Sequence, residues 1–296
     1  MRLHTTATST AEMAMALSAL LVAASGALVR VADAGTLVIM GVGLGLPSVL
    51  VWVVAALSPS LRPSFAQPLV LARAVFCFGS IFGTFAAVAR LDLGVVYAVN
   101  LAAPLTAAAI GAVIFAEPLP PARRMAGLLA LGGTVLALMP SLPDGDDAGL
   151  AVAALGVSFV STVLMVLTTR AMGRAAMTTA STMVSLAHVG IASAVMMCVT
   201  SWPVLAGPQA VAVALPLAAG VVTFLAVGLA AVAYRLAPLA NAAPVECLKP
   251  VFALGIAAVA FGEAPEPRAV AGIGLVVLAL VVPHLPWPAR GLPRRR

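Results

Sequence analysis

Charged side chains are scarce in this chain. Only 9 % of its 296 residues are Asp, Glu, Lys or Arg, against about 25 % in soluble domains. A water-soluble fold of this length could not cover its surface with so few, so lipid must solvate most of it. Aromatic residues are also few, at 5 %, which leaves no base-stacking platform for single-stranded nucleic acid. The net charge of +6 does not restore a nucleic-acid partner. Its basic residues are scattered singly or in pairs between apolar runs, apart from Arg294, Arg295 and Arg296 at the C-terminus. The three cysteines, Cys77, Cys198 and Cys247, each lie inside an apolar run and suit neither a disulfide framework nor a metal cluster. The Gly-rich stretches lack a Walker lysine, so no ATP site is expected. No nucleophile–base pair or metal-ligand cluster stands out. The reading is therefore of a chain without cofactor or metal that is not an enzyme.

What the chain has in quantity is apolar length. Hydrophobic residues make up 62 % of it, and the mean hydropathy is +1.14. A helix needs about 20 apolar residues to cross roughly 30 Å of hydrocarbon. Marking that length between polar breaks predicts ten spans, at 11–31, 36–57, 67–90, 93–116, 124–140, 149–170, 177–200, 210–235, 239–261 and 268–284. The first apolar run carries no clear cleavage signature and is read as a span, not a removable signal. Connections are short and rich in turn residues, as at 58–60, 118–121, 144–147 and 264–267. The expected fold class is an all-α membrane protein.

Arginine placement orients it. With the N-terminus in the cytoplasm, the inside segments hold Arg2, Arg62, Arg123, Arg124, Arg170, Arg174, Arg235, Arg290 and Arg294 to Arg296. The outside segments hold only Arg30, Arg90 and Arg268. That asymmetry is the positive-inside signature, and it requires an even number of spans, with both termini cytoplasmic. Most acids fall outside, at Asp33, Asp92, Asp144, Asp146, Asp147, Glu263 and Glu266.

The chain also repeats itself. Asn100 to Pro104, followed by Phe115 and Glu117, resembles Glu246 to Pro250, followed by Phe261 and Glu263. Positions 104 and 250, 115 and 261, and 117 and 263 are each 146 apart. A proline then opens the next span in both copies, Pro121 and Pro267. Each copy holds five spans, an odd number, so the second enters the membrane inverted. The halves are 11–140 and 149–284. Inverted repeats of this kind are a transporter architecture, with the substrate site near the midplane where they meet.

A mid-span proline, Phe-x-Glu at the end of the span and a Pro-containing loop before a Gly-rich span, repeated over ten helices, resembles the drug/metabolite transporter superfamily. Within it the chain is similar to the EamA-type ten-helix exporters, over nearly its whole length. The resemblance implies export of amino acids, nucleotide-type metabolites, vitamins or toxic compounds across a bacterial inner membrane. It also implies a central cavity lined by spans one to four and six to nine, with five and ten peripheral. Family members often carry glutamate immediately before the ninth-span proline. Here Lys249 takes that place, with Glu246 one turn earlier.

Ionisable groups within hydrocarbon are costly, by about 2.5–3.5 kcal/mol on insertion scales, and each needs a reason. Lys249 is the chain's single lysine and shares a helix face with Glu246. Pro244 and Pro250 bracket the two, and each frees a backbone carbonyl. The pair either binds a zwitterion such as an amino acid, or exchanges protons with it, or is a mutually neutralised element of packing. Asn100 is the pseudo-symmetric counterpart of Glu246, beside Tyr97 and ahead of Pro104; it is a candidate cavity amide or a helix–helix bond. Pro104 and Pro250 are candidate hinges. His188, mid-span, would suit a proton-coupled step, or it is a packing residue. Arg73 is expected to snorkel to the interface in preference to contacting substrate. Ser158, Ser161 and Thr162 are expected to bond their own helix backbone rather than a substrate. Gly79 and Gly83, and Gly41 and Gly45, are small-xxx-small pairs for close helix approach.

The leading expectation is a secondary transporter of a small polar metabolite, an amino acid or derivative foremost, working by alternating access. A vitamin, nucleoside or drug-like substrate is the alternative within that class. An intramembrane enzyme acting on lipid would need paired acids, a His-rich motif or a Ser–Lys dyad, and only Glu246 and Lys249 come near. The partners expected are the solute and membrane lipid, with the oligomeric state left open.

Overall fold

A computed structural model of the chain describes residues 2–32, 34–59, 65–91, 93–117, 120–138, 146–205, 213–237, 239–262 and 267–282. The loop acids Asp33, Asp92, Asp144, Glu263 and Glu266, with Arg62, Arg290 and Arg294 to Arg296, lie outside them, as do parts of the Pro-rich connections. Among the described residues the structure is helical and contains no strand. Hydrocarbon leaves no water to satisfy backbone groups, so an apolar chain closes its hydrogen bonds within helices.

The helices are α1 (Arg2–Ala32), α2 (Thr36–Leu57), α3 (Pro68–Val88), α4 (Leu93–Ile114), α5 (Pro121–Leu138) and α6 (Asp146–Arg174). They continue with α7 (Thr179–Leu205), α8 (Ala214–Leu236), α9 (Leu239–Glu246), α10 (Leu248–Phe261) and α11 (Pro267–Val281). Proline opens α3, α5 and α11, where its missing N–H would be unpaired in any case. Gly262, at φ 67°, closes α10 in the left-handed region.

Six helices contain stretches long and apolar enough to cross a membrane, within α1, α2, α3, α6, α7 and α8. Shorter apolar stretches run over Asn100–Ile114, Leu248–Phe261 and Val270–Ala279. Large apolar side chains stand bare on the outer surface, among them Val113, Val199 and Val259. The chain is thus a helical, multi-pass membrane protein.

The expected ninth span, 239–261, is divided. Helix α9 ends at Glu246 and α10 begins at Leu248. Pro250 supplies the reason, since it has no N–H to return to the carbonyl four residues earlier, that of Glu246. Pro104 stands in the same relation to Asn100, yet α4 continues through it.

The largest helix contacts are α2 with α7, α1 with α8, α3 with α6 and α5 with α11. Glycine permits the closest of these. A Cβ on Gly83 would meet the Ala154 carbonyl oxygen at 2.6 Å and the Ser158 nitrogen at 2.7 Å, so α3 and α6 touch backbone to backbone. Gly43 and Gly220 do the same for α2 and α8, each occupying the place of the other's Cβ. The small-residue pairs expected on α2 and α3 lie at these contacts: a Cβ on Gly41 would strike Met197, and one on Gly79 would strike Ser161.

Candidate functional site

Where α1, α3, α4, α6, α8 and the α9–α10 break converge, they leave a cavity. It holds about 770 Å³ of atom-free space, its open mouth included. One wall is apolar, formed by Ile81, Phe85, Met165, Val227 and Ala231. The rest carries a high density of polar groups for a membrane interior. Among the described residues, helices α2, α5, α7 and α11 contribute no lining residue. The second and seventh spans, which the family resemblance implied as cavity walls, instead pack against each other beside it.

The α9–α10 break brings Glu246 and Lys249 to the cavity. Lys249 Nζ forms an ion pair with Glu246 Oε1, and the Tyr234 hydroxyl of α8 donates to Oε2. Both carboxylate oxygens therefore have partners, and the two charges neutralise each other. Glu246 is 3 % exposed. A pair in this setting holds only if such bonds offset its desolvation.

A second polar cluster joins α3, α4 and α6. Asn100 Nδ2 donates to Thr84 Oγ1 at 3.0 Å, and Ser158 Oγ donates to Asn100 Oδ1 at 2.9 Å. The Thr84 and Ser158 hydroxyls lie 2.8 Å apart. One turn away, Ser80 and Thr162 share a hydrogen bond of 2.6 Å. Ser158 and Thr162 thus bond across to neighbouring helices, contrary to the expectation of bonds to their own backbone. Gly83 is the reason, because the close approach it permits brings α3 within reach of these short side chains.

Tyr97 also reaches the cavity, but its hydroxyl donates to the Val22 carbonyl at 2.8 Å and its ring packs on Gly26. It fastens α4 to α1. His188 lies elsewhere. Its Nδ1 is 2.7 Å from the Val184 carbonyl of its own helix, and its ring faces Phe65, 5.9 Å between centroids. Of the candidate site residues, the structure gathers Tyr97, Asn100, Glu246 and Lys249 around one space and leaves His188 outside it.

Among the cavity's ionisable or aromatic polar side chains, one was missed by the sequence reading and one was placed wrongly. Tyr234 was missed; the chain has only two tyrosines, and both line this cavity, so their rarity was the available signal. Arg73 was named, but the favoured expectation that it snorkels is corrected. It is 1 % exposed and lines the cavity. Its Nε donates to Thr169 Oγ1 at 2.8 Å, and its Nη1 to Ser185 Oγ at 2.5 Å and the Thr182 carbonyl at 3.4 Å. Polar hydroxyls on α6 and α7 hold the guanidinium inside, where an apolar wall would have driven it to the interface.

These features define a helical membrane protein with a polar cavity enclosed by both halves of the chain. No family model and no curated protein matches the sequence. A solved structure described only as "Crystal structure of protein" superposes with a TM-score of 0.70 at 19 % sequence identity, covering 93 % of this chain and 96 % of that one. Likeness at that identity shows a shared fold, along almost the full length of both chains.

Proposed function

We propose that the protein is a secondary transporter of a small polar metabolite. It works by alternating access between two inverted five-helix halves, 11–140 and 149–284, in a bacterial cytoplasmic membrane with both termini inside. The observation that carries this reading is the cavity. It gathers a buried ion pair, a buried arginine, the Asn100 amide and the Ser80, Thr84 and Thr162 hydroxyls from helices of both halves. Intramembrane ionisable groups mark solute or ion pathways by default. A broken helix with polar groups at the break is a recurring way to build such a site.

The packing pattern supports the symmetry. Exchange of the halves carries α1 into α6 and α3 into α8, so the contact of α1 with α8 becomes that of α6 with α3. Both are among the largest. The α2–α7 and α5–α11 contacts map onto themselves. The ends match too: Arg174 stacks over Phe115 at 5.6 Å, and Arg30 over Phe261 at 4.9 Å. The resemblance to EamA-type exporters supports outward transport of an amino acid or derivative. In that version, the solute must displace Tyr234 or Lys249 from Glu246 to bind its ammonium there.

Counterflow in proteoliposomes tests the proposal, using pooled amino acids, nucleosides, vitamins and small organic anions. The expected result is trans-accelerated uptake of at least one pool. No movement of any pool under any imposed gradient sinks it.

A further inference from the structure

Within the cavity, one positive charge is left without a negative partner. Lys249 is neutralised by Glu246, whose second oxygen is taken by Tyr234. Arg73 has no such arrangement. Among the described residues its hydrogen-bond partners are two hydroxyls and one carbonyl, from Thr169, Ser185 and Thr182, all of them neutral. Its Nη2, with two N–H groups, makes no hydrogen bond among the described residues. The hydroxyl of Thr182, whose carbonyl accepts from Arg73 Nη1, is fully buried and without a hydrogen-bond partner among the described residues. A guanidinium kept at 1 % exposure in an apolar protein needs a counter-ion. Its neighbours orient it without supplying one.

We infer that the solute accepted by this cavity is a small organic anion, and that Arg73 is the counter-ion for its carboxylate or phosphate group. The guanidinium charge attracts either group, and a free guanidinium N–H donates a charge-assisted hydrogen bond to one of its oxygens. The Nε and Nη1 bonds to α6 and α7 fix the plane of the guanidinium and leave Nη2 for the solute. Neutral polar parts of the solute meet Asn100 and Thr84, and a short hydrocarbon body meets Ile81, Met165 and Val227. A zwitterion fits less well, because no cavity carboxylate is free to take an ammonium. This inference rests on the transporter reading of the same cavity and narrows its substrate class.

The test has two readouts on one panel: short mono- and dicarboxylates, phosphomonoesters, zwitterionic amino acids and uncharged nucleosides. The first is counterflow with the purified protein in proteoliposomes. The second is the shift in Tm of the detergent-purified protein with each solute, since a ligand of the folded state raises Tm. The expected result is exchange and stabilisation by net-anionic solutes only, with the carboxylate and phosphomonoester arms telling which group is recognised. Arg73→Gln is expected to lose at least tenfold of the exchange together with the Tm shift. Arg73→Lys, which keeps the charge but not the guanidinium's bonds to both α6 and α7, is expected to retain part of both. If only zwitterionic or neutral solutes are exchanged or stabilise, the inference is overturned while the transporter reading stands. It is equally overturned if Arg73→Gln responds to anions as the wild type does, or if no solute has either effect. Anions that raise Tm through Arg73 without being exchanged would keep the anion site and remove the transporter. Should Arg73→Gln fail to fold, the wild-type panel and Arg73→Lys decide the matter.

Discussion

Glu246 and Lys249 raise the sharpest question at the scale of single residues, because an ion pair in hydrocarbon either serves the solute or serves the fold. Removing one partner leaves the other charged and buried, a loss of about 3–5 kcal/mol when breaking such pairs. Glu246→Gln and Lys249→Met are each expected to lower the melting temperature in detergent and to abolish counterflow. The double variant removes both charges and is expected to recover most of the melting temperature. If it also recovers transport, the pair is a packing element; if transport stays lost, the pair takes part in the cycle. The two tyrosines give a matched control. Tyr97→Phe removes a hydrogen bond to a backbone carbonyl, a loss of about 0.5–1.5 kcal/mol, and is expected to leave transport within about twofold. Tyr234→Phe strips a donor from Glu246 and is expected to impair transport more than stability. Equal effects of the two on initial counterflow rates would contradict these roles.

Helices carry the next level of argument, and here the sequence was legible in part. The apolar runs located the helices well, because hydrocarbon leaves a chain little choice but a helix. The glycine pairs identified close approaches because nothing larger fits between two backbones. Gly83→Leu puts a side chain into the α6 backbone and is expected to cost several kcal/mol, toward or beyond the roughly 1–3 kcal/mol common for overpacking, seen as loss of the monodisperse folded protein. Gly255→Leu, where nothing lies within 4 Å, is the control expected to be silent. What the sequence concealed was lateral: Arg73 sits near a helix end, where snorkelling is the ordinary outcome. Only the hydroxyls of Thr169 and Ser185, nearly 100 positions and more away along the chain, turn it inward. The same holds at one end of the bundle, where Glu117 accepts from Arg170 Nε at 2.5 Å and from the Leu239 N–H at 3.4 Å. That carboxylate ties α4 to α6 and sits at the start of α9, where a negative charge favours the helix dipole. Glu117→Gln is expected to loosen this end and raise the labelling rate of a cysteine placed at Thr169 by a small maleimide. An unchanged rate would show that the tie does not control access.

At the scale of the whole molecule, the inverted arrangement makes a geometric demand that no local contact can meet by itself. If five spans precede the second half, equivalent loops of the two halves open on opposite sides of the membrane. Gly35, between α1 and α2, and Ala175, between α6 and α7, are such a pair. With the N-terminus inside, Gly35 faces outward and Ala175 faces the cytoplasm, as does Ser58 after α2. The matching contacts of α1 with α8 and of α6 with α3 are what the proposed exchange of the halves requires. The arginine asymmetry gives independent support, because retained cytoplasmic arginines fix each loop's side. Single cysteines at Gly35, Ser58 and Ala175, in a background with Cys77, Cys198 and Cys247 replaced, separate the possibilities. A membrane-impermeant maleimide applied to intact cells is expected to label Gly35→Cys alone, and all three after the membrane is opened. Labelling of Ala175→Cys in intact cells would place the two halves in parallel. The alternating-access scheme, in which one half mirrors the other across the membrane, would then have no symmetry to operate with, and the cavity would have to open by motions of single helices.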